Sequence, residues 1–354
     1  MLFLLASIIC FLTPWTSASV VLNPNMRSFG TALKAIPYTA NTEATLFDFS
    51  ETPGALPHTI TEQWFAVFGP EPNADARIRV YIDGEADPSL DFQLYFAHMV
   101  GIQSCESEMG QCNDPRVPWA SDFVSHLGRG GALKNTYRIP FSGSIRITIE
   151  MPGNGGIYYY VRGMTNLPVI VGDLELPPTA RLKLYKNWDV TVPPIGKLPL
   201  IPAHASSGIL FASMWSAHSD YIGFMEGCVR ADIDGGDTLL LSSGTEDYFE
   251  SANFFSAGHP SPADANWTEA NTRDFNATGE AWGPESGVSY LNGTNPGPYS
   301  MAAYKFHVSD PVVWWNKISL TASNFDEPGC IVPPSPPALV KPLQIWTYTW
   351  TYEW

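Results

Sequence analysis

Basic residues are scarce in this sequence: 19 Lys and Arg stand against 35 Asp and Glu, for a formal net charge of −16. So acidic a chain repels phosphate backbones, which argues against nucleic acid as a partner. No CxxC or HxxxH spacing occurs, so the thiols and imidazoles do not present a zinc-type ligand set, and no cofactor or metal is implied. Amphipathic stretches of three helical turns are also missing, which argues against a helical or α/β architecture. The apolar run at the N-terminus is broken by Thr13-Pro14 and falls short of the ~20 residues that a membrane-spanning helix needs.

What that N-terminus does offer is MLFLLASIICFLTPWTSASV, an apolar centre ending in the small residues Ser17, Ala18 and Ser19. This is the pattern of a secretory signal peptide over residues 1–19 and predicts an extracellular protein. Its removal takes Cys10 and leaves Cys105, Cys112, Cys228 and Cys330, an even number suited to disulfides in an oxidising compartment. Cys105 and Cys112 enclose the polar stretch ESEMGQ as a pinched loop would, which leaves Cys228 to pair with Cys330, one of the three connectivities four cysteines allow. Three glycosylation sequons, at Asn266, Asn276 and Asn292, cluster in a Gly/Asn-rich stretch that reads as a long exposed loop.

With 31 Pro and 29 Gly among many short β-branched and aromatic segments, the chain reads as all-β, as two jelly-roll (β-sandwich) domains. Strands are expected over Glu62–Val67, Arg77–Ile82, Ser144–Glu150 and Ile157–Arg162. The run VTVPPIGKLPLIP at 190–202 disfavours a central strand and is read as a hinge between an N-terminal domain (20–195) and a C-terminal one (203–354). The terminal IWTYTWTYEW is a strand that places Trp346, Tyr348, Trp350, Tyr352 and Trp354 on one face and the threonines on the other. The segment Asp232–Asp237 imitates part of a calcium loop but is read as a hairpin turn.

Chemistry concentrates in SSGTEDYFESANFF at 242–255, where Glu246, Asp247 and Glu250 sit among aromatics. Acids among aromatics suit sugar chemistry, because glycosidic cleavage needs one carboxylic acid and one carboxylate. GTEDYF at 244–249 resembles the hallmark of glycoside hydrolase family 172. Ordered blocks agree with it: RIRVYIDGEADPS at 77–89, YRIPFSGSIRITIE at 137–150, FMEGCVRADIDG at 224–235, YKFHVSDPVVW at 304–314 and the final TYEW.

The resemblance implies two jelly rolls per subunit, a homotrimer or multiple of trimers, and retaining cleavage or transfer of fructofuranosides or arabinofuranosides in an oligo- or polysaccharide substrate. It makes Glu246 one catalytic carboxylate. Glu285 is the preferred second, with Glu269 and Glu250 as alternatives. Asp247, Tyr248, His307, Asp310 and Trp64 become substrate-binding candidates. The competing reading is a non-catalytic carbohydrate-binding or structural, capsid-like double jelly roll, because the same fold serves both. An enzyme requires a second carboxyl about 5–5.5 Å from Glu246 if retaining, or about 6.5–9.5 Å if inverting.

Overall fold

The computed structural model describes residues 22, 24–68, 76–99, 119–127, 132–251, 283–293, 298–338 and 340–354. The signal segment, Cys105, Cys112, Asn266, Glu269 and Asn276 lie outside the described residues.

Eleven strands make the first half: β1 (Ser28–Tyr38), β2 (Ala44–Ser50), β3 (His58–Phe68), β4 (Arg77–Ile82), β5 (Leu90–Gln93), β6 (Trp119–Ala120), β7 (Val124–Leu127), β8 (Ala132–Asn135), β9 (Ile139–Phe141), β10 (Ser144–Glu150) and β11 (Gly155–Met164). One sheet runs β1-β11-β3-β8-β7-β6 with β9 on β3, and the other runs β2-β10-β4-β5. The hairpin of β12 (Ile170–Val171) and β13 (Leu174–Glu175) follows. The second half holds β14 (Arg181–Val192), β15 (Lys197–His204), β16 (Gly208–Ser219), β17 (Val229–Ile233), β18 (Thr238–Ser242), β19 (Ser286–Gly293), β20 (Tyr299–Phe306), β21 (Val312–Trp314), β22 (Ile318–Ser323) and β23 (Leu343–Glu353). Its sheets run β14-β23-β16-β20-β19, with β21 on β16, and β15-β22-β17-β18. The chain is therefore all-β and carries two jelly-roll sandwiches.

Alternation builds these sheets. In SIRITIE, Ile145, Ile147 and Ile149 are buried against the first core while Arg146 stays outside against Glu43 and the Tyr81 ring. Asn292 lies on β19, a regular strand where a long loop was expected. The domain boundary also needs correction. β14 pairs with β23 and β15 with β22, so both belong to the second sandwich, and the crossing between halves lies before Arg181, ahead of the expected hinge. Pro193 and Pro194 sit between β14 and β15, while Pro199 and Pro202 lie on β15, an edge strand that tolerates proline.

The two halves repeat one plan. Across β1-β11-β3 one row reads Ala32, Tyr160, Trp64, and across β14-β23-β16 the matching row reads Lys186, Tyr348, Met214. Irregularities match too: the register shift between Leu33 and Ile36, with Ala35 at φ 53°, returns between Asn187 and Val190, with Asp189 at φ 55°. A second shift, at Arg162/Gly163 opposite β3, returns at Leu210/Ala212 opposite β23.

The sandwiches are joined by packing. One buried cluster runs from Phe65, Ile78 and Ile147 of the first sandwich to Met214, Tyr348 and Trp350 of the second. Phe92 meets Trp350 at 5.6 Å, Phe96 meets Tyr348 at 4.7 Å and Tyr137 meets Trp350 at 5.1 Å between ring centroids. Polar tips are satisfied as well: Gln93 N donates to Tyr348 Oη at 2.9 Å, and Tyr352 Oη donates to the Arg138 carbonyl at 2.8 Å. Burying each such side chain contributes about 1.5–3 kcal/mol. The terminal strand thus spends its Trp/Tyr face on the junction, and Thr347, Thr349 and Thr351 are fully buried on the other.

Candidate functional site

The GTEDYF segment is a single helical turn, Thr245–Tyr248. Crowding explains the glycine before it, and the Asp247 carboxylate closes it. A side chain at Gly244 would meet Met225 O at 2.8 Å, and the Asp247 carboxylate accepts from Ser243 N and Oγ at 2.7 and 2.8 Å, closing the chain on itself. Asp247 therefore holds its own turn, and its side chain is exposed at the motif's edge.

Tyr248 points inward and is fully buried between Trp215 and Phe249. Its hydroxyl donates to Ser213 Oγ at 2.7 Å and lies 2.9 Å from His307 Nε2. His307, also buried, approaches Asp310 at 3.1 Å through Nδ1. Lys305, 8% exposed, bridges Asp310 at 2.9 Å and Glu250 at 3.2 Å, and Ser286 Oγ donates to Glu250 at 2.6 Å. Burial alone would raise Asp310, but His307 and Lys305 hold its carboxyl below the usual range. Burial pushes the Tyr248 hydroxyl well up, so it stays neutral. The structure thus joins Tyr248, His307 and Asp310, and adds Ser213 and Lys305, which sequence reasoning missed: one lies in an unbroken apolar strand and the other inside a block noted for its histidine.

Glu246 is placed differently. It rests near Glu226 at the end of the 3-10 turn Ile222–Glu226, with Oε2 buried and unbonded. Burial, with Glu226 and Asp247 adding to it, raises its carboxyl to about 7 although its own backbone amide opposes the shift. Glu285 sits on the rim, where Ser309 Oγ and N donate to its carboxylate at 2.7 and 3.2 Å. Among the described residues no hydrogen bond or ion pair joins Glu246 to Glu285. Trp64 stacks on Tyr160 at 5.5 Å on the outer face of the first sandwich, in the other half from the motif. Cys228 and Cys330 form the expected disulfide.

Among the described residues no His/Cys/Asp/Glu group suited to a metal was found, and no helix is long and apolar enough to cross a membrane. The Asp232–Asp237 segment is the β17–β18 hairpin, where Asp234 caps three backbone amides.

No family model matches the chain, and no curated protein does. Solved structures similar to it include the STIV MCP, of Sulfolobus turreted icosahedral virus, at TM-score 0.37 and 9% identity over 92% of this chain and 96% of that one. The PBCV-1 virus capsid matches at TM-score 0.33 and 9% identity over 95% and 97%. The mavirus major capsid protein matches at 0.27 and 8% over 100% and 92%. The expected glycosidase is corrected here: none of these similar structures is a glycosidase, and the two carboxylates chosen as an acid/base pair stand in different settings, Glu285 on the rim under Ser309 and Glu246 with Oε2 buried and unbonded.

Proposed function

We propose that this chain is an exported, non-catalytic building block, a double jelly-roll protein that assembles with copies of itself, as a closed trimer on our reading. One observation carries it. The two sandwiches are welded through a shared aromatic core, yet among the described residues the corresponding face of the first sandwich has no such cover, with Phe68 43% and Tyr158 37% exposed beside the half-buried Trp64 and Tyr160. The opposite outer face of that sandwich is laced with ion pairs, Arg79 to Glu43 and Glu150 and Arg77 to Asp91, as a solvated face is. The aromatic face carries charge too, with Tyr160 donating to Glu62, Glu62 3.8 Å from Lys134 and Arg162 over the Tyr160 ring, and it is the exposed rings of Phe68 and Tyr158 that mark a contact surface.

The buried Tyr248–His307–Ser213 network supports a rigid unit, since its members are closed to substrate by their burial. Light scattering on the full exported chain across a concentration series tests the reading, with a mass of several chains expected. A one-chain mass at every concentration, or steady turnover of furanosides, overturns it.

A further inference from the structure

We infer that the second sandwich encloses one structural water, held between the Trp215 indole and the Asn324 amide, which ties the GTEDYF turn to the corner where β14 passes to β15. The inference concerns the interior of a single chain and does not depend on how copies assemble. Its site is a cavity of about 10 Å³ beneath the motif, room for one water and too little for an organic ligand. Trp215, Phe224, Thr245, Ala322, Asn324 and Leu343 are among its walls, and each is at most 5% exposed.

Two of these walls leave a polar atom over. Trp215 Nε1 and Asn324 Oδ1 are both buried, and neither has a hydrogen-bond partner among the described residues. The indole nitrogen can only donate and the amide oxygen can only accept. The orientation of the amide is fixed by its other end: Asn324 Nδ2 donates to the carbonyls of Val192, Pro193 and Lys341 at 3.1, 3.2 and 2.9 Å. Reversing it would set an oxygen against three carbonyl oxygens, so Oδ1 is the atom that remains. A buried donor and a buried acceptor left unpaired each carry the full cost of lost hydration.

One donor and one acceptor on a cavity of this size fit a water: its oxygen takes the indole proton, and one of its own protons goes to the amide oxygen. The Thr245 hydroxyl offers the third contact. Its protein acceptors, the Phe224 and Gly227 carbonyls, lie at 3.5 and 3.4 Å, long for an O–H···O bond, so the hydroxyl is open to a better partner. The other hydroxyl on the cavity, that of Ser323, is already engaged by Arg230 Nη1 at 2.7 Å. A wholly apolar cavity would stay dry; this one supplies the two to four polar partners, roughly, that an internal water uses.

The partners belong to separate elements. Trp215 lies on β16 and stacks on Tyr248 of the motif, and Thr245 opens the helical turn. Asn324 follows β22 and gathers the end of β14, at Val192, with the approach to β23, at Lys341. The water therefore joins the motif to both sheets of the second sandwich, which gives the buried threonine and tyrosine of GTEDYF a structural task.

Water-selective NMR on the full exported chain with isotope-labelled tryptophan tests this, the Trp215 indole signal being identified by its loss in Trp215→Phe. The indole proton should show cross-relaxation with a water that tumbles with the protein, and a high-resolution crystal structure should show one isolated density within hydrogen-bond reach of both Trp215 Nε1 and Asn324 Oδ1. Ala322→Val sets added methyl groups against the cavity and separates the alternatives. Displacing a bound water should abolish the cross-relaxation and lower the melting temperature, because the indole and the amide lose their shared partner; filling a dry cavity should leave the melting temperature unchanged or raise it. A Trp215 indole without water contact in the wild type overturns the inference. So does a cross-relaxation signal that survives in Ala322→Val, or a melting temperature that does not fall there.

Discussion

Asp83 and Asp234 hold the same place in the two sandwiches and perform the same task. Asp83 Oδ1 accepts from the amides of Ser142, Gly143 and Ser144 at 2.9, 2.6 and 3.2 Å; Asp234 Oδ1 accepts from Trp315, Asn316 and Lys317 at 3.1, 2.6 and 3.0 Å. Both sit in the left-handed region, at φ 53° and 55°, and both precede a glycine that does the same. Each clamps the hairpin entering the strand that pairs with its own, β10 or β22. This recurrence, with the matched bulges, identifies the halves as one structural unit used twice.

Replacing Asp83 by Ala should cost about 1 kcal/mol, because three amides lose a charged acceptor at a partly solvated site. Burial alone would raise its carboxyl, but the amides of Gly143, Ser144 and Ser142, and Arg181, lower it on balance. The folded-state value lies below the unfolded one, so the stabilisation is present above the ordinary Asp range and is lost as pH falls through the depressed value. Urea melts of wild type and Asp83→Ala should therefore converge in strong acid; a constant gap down to low pH contradicts the clamp.

Glu246 predicts the opposite pH dependence. Its folded-state value, raised to about 7 from 4.5, favours the protonated form. Its contribution is fully present below about pH 4.5 and is lost as pH rises through about 7. Glu246→Gln should match wild type near pH 4.5 and exceed it by about 1 kcal/mol at pH 8, solvent screening at this partly exposed site cutting the full effect of the shift. A variant less stable than wild type at pH 8 shows that the charged carboxylate is held by favourable contacts.

The Cys228–Cys330 bridge closes a separation of 102 residues. Loop-closure entropy for that length gives a stabilisation of about 4 to 5 kcal/mol. Replacing both cysteines by serine should lower the melting temperature by a clear margin, and an unchanged melt shows that the bridge adds nothing to Arg230, which already ties the Cys330 carbonyl and Asp326.

Trp350 belongs to the junction more than to either sandwich. Trp350→Ala should cost about 3–5 kcal/mol and loosen the coupling, so that one cooperative transition in calorimetry broadens or splits. Wild type that melts in two separate steps contradicts the shared core.

The strands were legible where the alternation is strict: Arg77–Ile82 and Ser144–Glu150 match β4 and β10 in both bounds. The helical turn at Thr245 was not, because it closes through the Asp247 carboxylate on Ser243 and has Gly244 seated against the distant Met225 carbonyl, where a Cβ would clash. The repeat was hidden because matched positions differ in chemistry, Lys186 against Ala32 and Met214 against Trp64, while the backbone irregularities that reveal it leave no mark in composition. Tyr248 and His307 drew notice as sugar-binding candidates; burial turns them into core hydrogen-bonding groups. Sequence indicates which residue types are present, and here burial decided what they can do.

Negative-stain electron microscopy of the purified chain tests the assembly most directly. The account predicts closed particles made of several two-lobed chains. Isolated two-lobed particles of wild type at every concentration would contradict it.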